Sequence, residues 1–409
     1  MIEFKIKIFF IFIFLIILVI SPGLKSQFVK NFKLGNEVLL DEYINDLQGK
    51  RLAVVTNQTG ILSNGSHIID ALVSKKLNIV KIFTPEHGIR GDENYSDADE
   101  KTGIPVISLY GGKYKPDKKD LADVDVIIYD VQDAGARFYT YTSTLYYIIE
   151  SAVENNKNIY ICDRPVIFNA DYFDGFMLEQ SFESFVGKIP TPVCYGMTCG
   201  ELAGFLAEHV QKNKDFVKVV KMEGYSRETD YDSLDLVWVK PSPNIFTSKT
   251  VACYPATCFL EGTNVSEGRG TNKPFEYFGA PWVDAQLLSD EMNSFGLSGV
   301  NFEPLTFTPS EKISANPPKY FNINCNGIYI IVSDKKKFEP VKCAVAILVS
   351  LNKLFKQFKF DNKNFIDKLA GTDKLRKMVL SGNKYEEIIG IWKGDLNIYK
   401  EIREKQLLY

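Results

Sequence analysis

Residues 124–165 read "VDVIIYDVQDAGARFYTYTSTLYYIIESAVENNKNIYICDRP". The stretch opens on a short run rich in Val and Ile and closes on another, "NIYICD". Between them stand a loop dense in charge and glycine, then a segment, "STLYYIIESAVENN", whose apolar residues recur at helical spacing. Runs that are apolar almost throughout suit strands buried on both faces, because helices cover both sides of a parallel sheet. Strand, crossing helix and strand make one unit of such a sheet.

The pattern extends upstream. "RLAVV", "NIVKIF" and "PVISLY" follow one another from Lys50, with "SHIIDALVSKK" as a second amphipathic segment. The expected fold is α/β: a Rossmann-like parallel sheet domain over residues 27–244, followed by a smaller α+β domain over 245–409. In the latter, "GIYIIVSDKKKFEPVKCAVAILVSLNKLF" reads as a strand and then helices. "DLVWVKPSPNIFT" reads as a strand with a rigid exit at Pro241 and Pro243. "ACYPATCFL" reads as a buried strand delivering the chain to "EGTNVSEGRGTNKP" at residues 261–274, which cannot be the interior of a helix or strand because of its glycines and proline. "YGMTCGELAGFLAEHV" carries a capping box, Thr198 with Glu201, and this gives Glu201 a structural role.

The chain has 409 residues, 45% hydrophobic and 24% charged, enough for two domains with a sizeable core and no need of disulfides. Its net charge of -3, with mixed signs, gives no electrostatic ground for a nucleic-acid partner. Lys5 and Lys7 precede an apolar run at residues 8–20, too short to span a bilayer, so residues 1–26 read as a signal peptide. The folded part is then expected to be secreted or periplasmic, with no stable membrane partner beyond that segment. Seven cysteines, an odd number, lie mostly in apolar runs, and none of the three histidines sits near a cysteine pair. No metal site or cofactor is expected.

Ligands of an open parallel sheet sit beyond the carboxyl ends of its strands. Four strands empty polar groups there: Asn57 and Thr59; Glu86, His87, Arg90 and Asp92; Asp130, Asp133 and Arg137; Asp163 and Arg164. No glycine-rich nucleotide loop follows the first strand, and no G-x-S-x-G nucleophile motif occurs. Carboxylates are plentiful, with Glu261, Glu267 and Glu276 in or beside the glycine-rich stretch. Glycoside hydrolysis uses two carboxyl groups, one to protonate the leaving oxygen and one ionised. Arg137 and Arg269 offer forked donors for a substrate carboxylate. Tyr139, Tyr141, Phe275, Tyr277, Phe278 and Trp282 offer flat surfaces for a sugar ring.

"FTPEHGIRGDE", "KTGIPVISLYGG", "DVQDAGARFYTY", "YGMTCGELA", "KPSPNI" and "FLEGTNVSEGRGTNKPFEYFGAPW" together resemble the exo-β-N-acetylmuramidases of glycoside hydrolase family 171. The resemblance runs from about Gly49 to near the C-terminus. It implies an active-site cleft between a Rossmann-like domain and a smaller C-terminal one. It also implies release of N-acetylmuramic acid from the non-reducing end of peptidoglycan fragments, so the expected partner is a peptidoglycan-derived glycan. Glu86 is then the expected general acid, with His87 beside it to tune it. Glu267 is the expected second carboxylate, with Glu261 and Asp133 as alternatives. Arg269, Arg137 and Asn264 are expected to position the substrate, joined by Glu261, Asn57 and Tyr139. The chain departs from the family pattern at Cys194, before "YGMT", and at Phe246, after "SPNI".

Overall fold

The computed structural model describes residues 32–91, 96–312 and 317–409. The expected signal peptide and Asp92 lie outside them. The apolar runs pair side by side into one six-stranded sheet: β1 (Arg51–Thr56), β2 (Asn78–Thr84), β3 (Val106–Ser108), β4 (Val126–Asp130), β5 (Asn158–Cys162) and, after a two-stranded ribbon of β6 (Phe173–Asp174) and β7 (Cys194–Tyr195), β8 (Val217–Val220). Their order is β3-β2-β1-β4-β5-β8, and every pairing is parallel. The α/β expectation holds. The edge strand β8 escaped it, because Lys218 interrupts a run too short to carry a period.

Alternate residues of the central strands serve two different cores. Leu52, Val54 and Ile128 pack with Leu39, Ile68 and Leu72 on one face. Ala53, Val55, Ile127 and Tyr129 face the other way, into a core that runs on through Phe259, Phe278, Ile328 and Val345. One face of the sheet is thus covered by the first unit's own helices, and the other is shared with the second unit. Burial at this scale, at roughly 25 cal/mol per Å² of apolar surface, makes the junction between the units part of the fold.

The second unit is an antiparallel sheet of β10 (Val300–Phe307), β11 (Cys325–Val332) and β9 (Tyr277–Ala280), in the order β10-β11-β9. The helices Ser248–Thr257, Ala285–Ser294 and Pro340–Leu354 pack with it. "ACYPATCFL" is therefore not a strand: it lies in the helix Ser248–Thr257 and the 3₁₀ turn Cys258–Gly262. Nearly every residue of that helix is buried, so it has no polar stripe, and periodicity cannot tell such a segment from a buried strand. Thr247 starts the helix by accepting the Thr250 N–H (3.3 Å), and Pro255 falls in its last turn.

"DLVWVKPSPNIFT" forms no strand either. Its carbonyls are met by side chains instead of a sheet neighbour: Gln58 Nε2 donates to Lys240 O (3.0 Å), and Tyr141 Oη to Pro241 O (2.6 Å). The capping box of Thr198 and Glu201 forms as expected. The C-terminal helix Lys393–Glu404 folds back on the first unit. Tyr399 Oη donates to Tyr195 O (2.8 Å), Arg403 Nε to Gly196 O (2.7 Å) and Tyr409 Oη to Asp163 Oδ2 (2.8 Å). Among the described residues no helix is long and apolar enough to cross a membrane.

Candidate active site

The strand order reverses between β1 and β4, so the loops leaving them diverge and open a crevice at the carboxyl edge. A cavity of about 810 Å³ lies at this edge, walled by both units. From the first unit come Glu86 and His87, after β2, and Tyr139, Thr140 and Tyr141, beyond β4. From the second come Tyr254, Glu261, Glu267, Arg269, Phe275 and Lys319.

Glu86 stands where the chain leaves β2 through Pro85 into a turn with His87 at φ 76° and Gly88 at φ 72°. Thr140, at the start of the helix Tyr141–Glu154, donates Oγ1 to Glu86 Oε2 (2.9 Å). A residue at a strand end is thereby tied to a helix start two strands away. The partner is a neutral hydroxyl, in contrast to the cations around Glu267.

Glu267 has different surroundings. It is 4% exposed, with Oε1 3.3 Å from Arg269 Nε and Oε2 3.1 Å from Lys319 Nζ. Burial pushes its pKa up, but Lys319 and Arg269 outweigh burial and hold it below the usual glutamate range. Arg269 also donates Nη2 to Glu261 Oε1 (2.7 Å) and lies over the Phe275 ring, 4.9 Å from its centroid. Burial lowers the Arg269 pKa and the two glutamates raise it further, so it is firmly charged. Lys319 spends its three N–H groups on Leu260 O (2.6 Å), Val265 O (3.0 Å) and Glu267, and so buttresses the loop. The contacts of Arg269 to the glutamates use Nη2 for Glu261 and Nε for Glu267.

The glycines of this loop serve the chain itself. Gly268 (φ 76°) and Gly270 (φ 78°) are left-handed, and a β-carbon on Gly268 would meet the Tyr277 carbonyl oxygen at 2.6 Å. Ser266 and Gly279 exchange backbone bonds (2.8 and 3.0 Å), so the loop is pinned along β9. Tyr139 meets Tyr141 edge-on at 4.8 Å and Tyr254 at 5.8 Å, forming an aromatic floor. Of the other rings expected to face a sugar, Phe275 lines the cavity, whereas Tyr277, Phe278 and Trp282 do not.

Four expected site residues lie elsewhere. Arg137 is wholly buried, donating to the carbonyls of Phe176, Thr191, Leu369 and Ala370, and burial brings its pKa down to about 9. It is a clasp between the units, not a substrate ligand. Asn264 exchanges bonds with the 357–359 segment, donating Nδ2 to Gln357 O (2.7 Å) and accepting the Lys359 N–H (2.9 Å). Asn57 is buried in its own turn, accepting the N–H and Oγ1 of Thr59 (2.9 and 2.6 Å). Asp133 turns into the loop after β4, where Oδ2 accepts the Gly135 N–H (3.0 Å), and burial raises its pKa to about 7. None of the four lines the cavity. Among the described residues no group of His, Cys, Asp or Glu is placed to hold a metal ion.

Sequence reasoning missed Thr140, Tyr254 and Lys319. Tyr254 was hidden in the supposed strand, and Lys319, behind Pro317-Pro318, has no signal of its own.

The two walls match two family models, Exo-beta-N-acetylmuramidase NamZ, N-terminal, over residues 52–249 and Exo-beta-N-acetylmuramidase NamZ, C-terminal, over residues 252–409. The chain belongs to the NamZ family. The seam between the two models falls within the helix Ser248–Thr257, so Glu86 and Tyr139 lie in the N-terminal match and Glu267, Arg269 and Lys319 in the C-terminal one. The chain is 38% identical, over 95% of its length and 94% of the relative's, to the peptidoglycan beta-N-acetylmuramidase NamZ of Bacillus subtilis (strain 168). Two crystal structures of DUF1343 family proteins from Bacteroides fragilis NCTC 9343 share the fold. One has a TM-score of 0.86 at 32% identity, covering 92% of this chain and 99% of its own. The other has a TM-score of 0.75 at 32% identity, covering 93% and 99%.

Proposed function

We propose that the protein is an exo-acting glycoside hydrolase that releases N-acetylmuramic acid from the non-reducing end of peptidoglycan fragments. The observation that carries this reading is the pair of unlike glutamates on opposite walls of one cavity. Glu86 is bonded to a hydroxyl and Glu267 is held ionised by two cations. Acid and anion roles in glycoside cleavage call for two carboxyl groups in different surroundings. Glu86 protonates the departing oxygen, and the ionised Glu267 stabilises positive charge developing on the sugar, with Glu261 beside it across Arg269. Arg269 faces the lactyl carboxylate of the muramyl group, and Tyr139 and Tyr254 carry the ring.

The N-terminal apolar run behind Lys5 and Lys7 supports export of the enzyme to the compartment that holds peptidoglycan. N-terminal sequencing of the mature protein tests this, and an intact residue 1 after export would refute cleavage. For the activity, the purified protein is incubated with chromogenic N-acetylmuramide and N-acetylglucosaminide. Release from the muramide alone supports the reading. Release from the glucosaminide points to a different amino sugar, and release from neither leaves a glycan-binding protein.

A further inference from the structure

The cavity does not end at its rim. Tyr110, which follows β3, lines the cavity and is 37% exposed. Its ring centroid lies 5.9 Å from that of Phe185, Phe185 stacks on Tyr114 at 4.2 Å, and Tyr114 stacks on Tyr147 at 6.4 Å. Tyr146 continues the row, 5.4 Å from Tyr147, and Lys188 stands over both rings. Tyr114 is 39% exposed although its ring is packed between two others. The rings come from three separate places, the loop after β3, the 184–187 turn and the helix Tyr141–Glu154. Of this row Tyr146 packs against the core, while Tyr110 and Tyr114 stay exposed at the surface.

We propose that this row is a subsite for the part of the glycan beyond the scissile bond, so that the protein grips a chain and not merely its terminal sugar. The inference rests on the muramidase reading, because an exo-acting enzyme takes one sugar into its cavity and must leave the remainder outside. The row starts at the cavity and leads away from it, and that continuity fixes its occupant. Aromatic CH groups and phenol hydroxyls meet the mixed apolar and hydroxylated surface of amino sugars, and the rings are ordered by their own stacking before any ligand arrives. Exchange of one exposed ring for alanine removes one sugar's worth of contact.

The test measures binding, with turnover disabled by Glu86→Gln. Peptide-free glycan fragments with a muramyl non-reducing end, a disaccharide and a tetrasaccharide, are titrated calorimetrically. In this parent the tetrasaccharide binds about three- to tenfold tighter than the disaccharide. Adding Tyr114→Ala with Phe185→Ala removes the difference and leaves disaccharide affinity as it was, whereas Tyr114→Phe, which keeps the ring, preserves the difference. Thermal melts confirm that the variants are folded. Equal affinities in the parent, or a difference that survives loss of both rings, would overturn the proposal. Wild-type hydrolysis of chromogenic muramide separates the two readings: turnover with length-independent binding refutes the subsite alone, while no turnover and no binding of either fragment refutes the muramidase assignment.

Discussion

The charged groups that follow β4 and β5 and those that line the cleft occupy similar places, loops at the ends of strands and helices, yet they are satisfied in different ways. Behind β5 the polar groups close on one another. Asp130 accepts Arg164 Nε (2.6 Å) and Asn36 Nδ2 (2.9 Å). Asp163 accepts Thr198 Oγ1 (2.8 Å), the Gly200 N–H (2.7 Å) and Tyr409 Oη (2.8 Å). Glu201 takes Arg227 and the Leu408 N–H. In the cleft the side chains of Arg269, Lys319 and Glu261 keep 31%, 29% and 24% of their surface open. The charges behind the sheet are thus closed off by partners from elsewhere in the chain, Asn36 and Arg164 for Asp130 and the C-terminal Tyr409 and Leu408 for Asp163 and Glu201.

The sharpest break between the regions is catalytic. Glu86→Gln keeps the size of the side chain and its ability to accept the Thr140 bond, but offers no acidic proton. A fall in kcat of about 10²- to 10⁴-fold on chromogenic muramide is expected, with an unchanged melting temperature. A near wild-type rate would remove Glu86 from the chemistry.

Asp130→Ala tests the closed region. It strands Arg164, whose side chain is 5% exposed, and breaking a buried pair in this way lowers stability by about 3–5 kcal/mol. Urea unfolding measures this, and the protein that remains folded should turn over at the parent rate. Full stability with lost turnover would show that the closed cluster takes part in catalysis after all.

The same contrast explains what the sequence disclosed. β1, β2, β4 and β5 were legible because both faces of the sheet are buried, which leaves uninterrupted Val and Ile runs. That Glu86, Glu267 and Arg269 line one cavity was foreshadowed because they stand among residues that no regular element tolerates. Arg137 was not, since the carbonyls that claim it belong to residues 176, 191, 369 and 370, far along the chain. Asn264 was misread for the same reason, its partners lying at residues 357 and 359. The helix Ser248–Thr257 was misread because burial on every side erases the period that distinguishes helix from strand.

Two carboxyl groups give the comparison opposite signs in pH. Asp133, raised to about 7 by burial, binds its proton more tightly in the folded protein than in the unfolded chain, where a pKa of about 3.9 is usual. Its contribution is present below the unfolded value and is lost as pH rises through about 4 to about 7. Asp133→Asn keeps an acceptor for the Gly135 N–H and removes this slope, so at pH 8 it should gain about 2–4 kcal/mol over the parent in urea unfolding. Glu267, held low by Lys319 and Arg269, behaves in reverse: its contribution is present above the usual glutamate pKa and is lost as pH falls below it. Lys319→Met should raise the Glu267 pKa, read by carboxyl NMR titration. An unmoved pKa would mean that Arg269 alone holds the charge.

Thr140→Val is the mildest change and the finest test of the cleft. It removes the 2.9 Å bond to Glu86 Oε2 and replaces a half-buried hydroxyl with a methyl group of similar size. A single neutral hydrogen bond is worth about 1 kcal/mol, so an effect of about fivefold is expected. Where it appears is informative. Thr140 starts the helix Tyr141–Glu154 without capping it through its side chain, so stability should hardly change. If the bond serves to aim Glu86 at the leaving oxygen, kcat falls and KM stays level, because in the proposed reading Arg269 and the aromatic floor, not Thr140, hold the ground-state sugar. A rise in KM at constant kcat would instead place Thr140 among the groups that bind the sugar, and would move the orientation of Glu86 to the left-handed turn at His87 and Gly88.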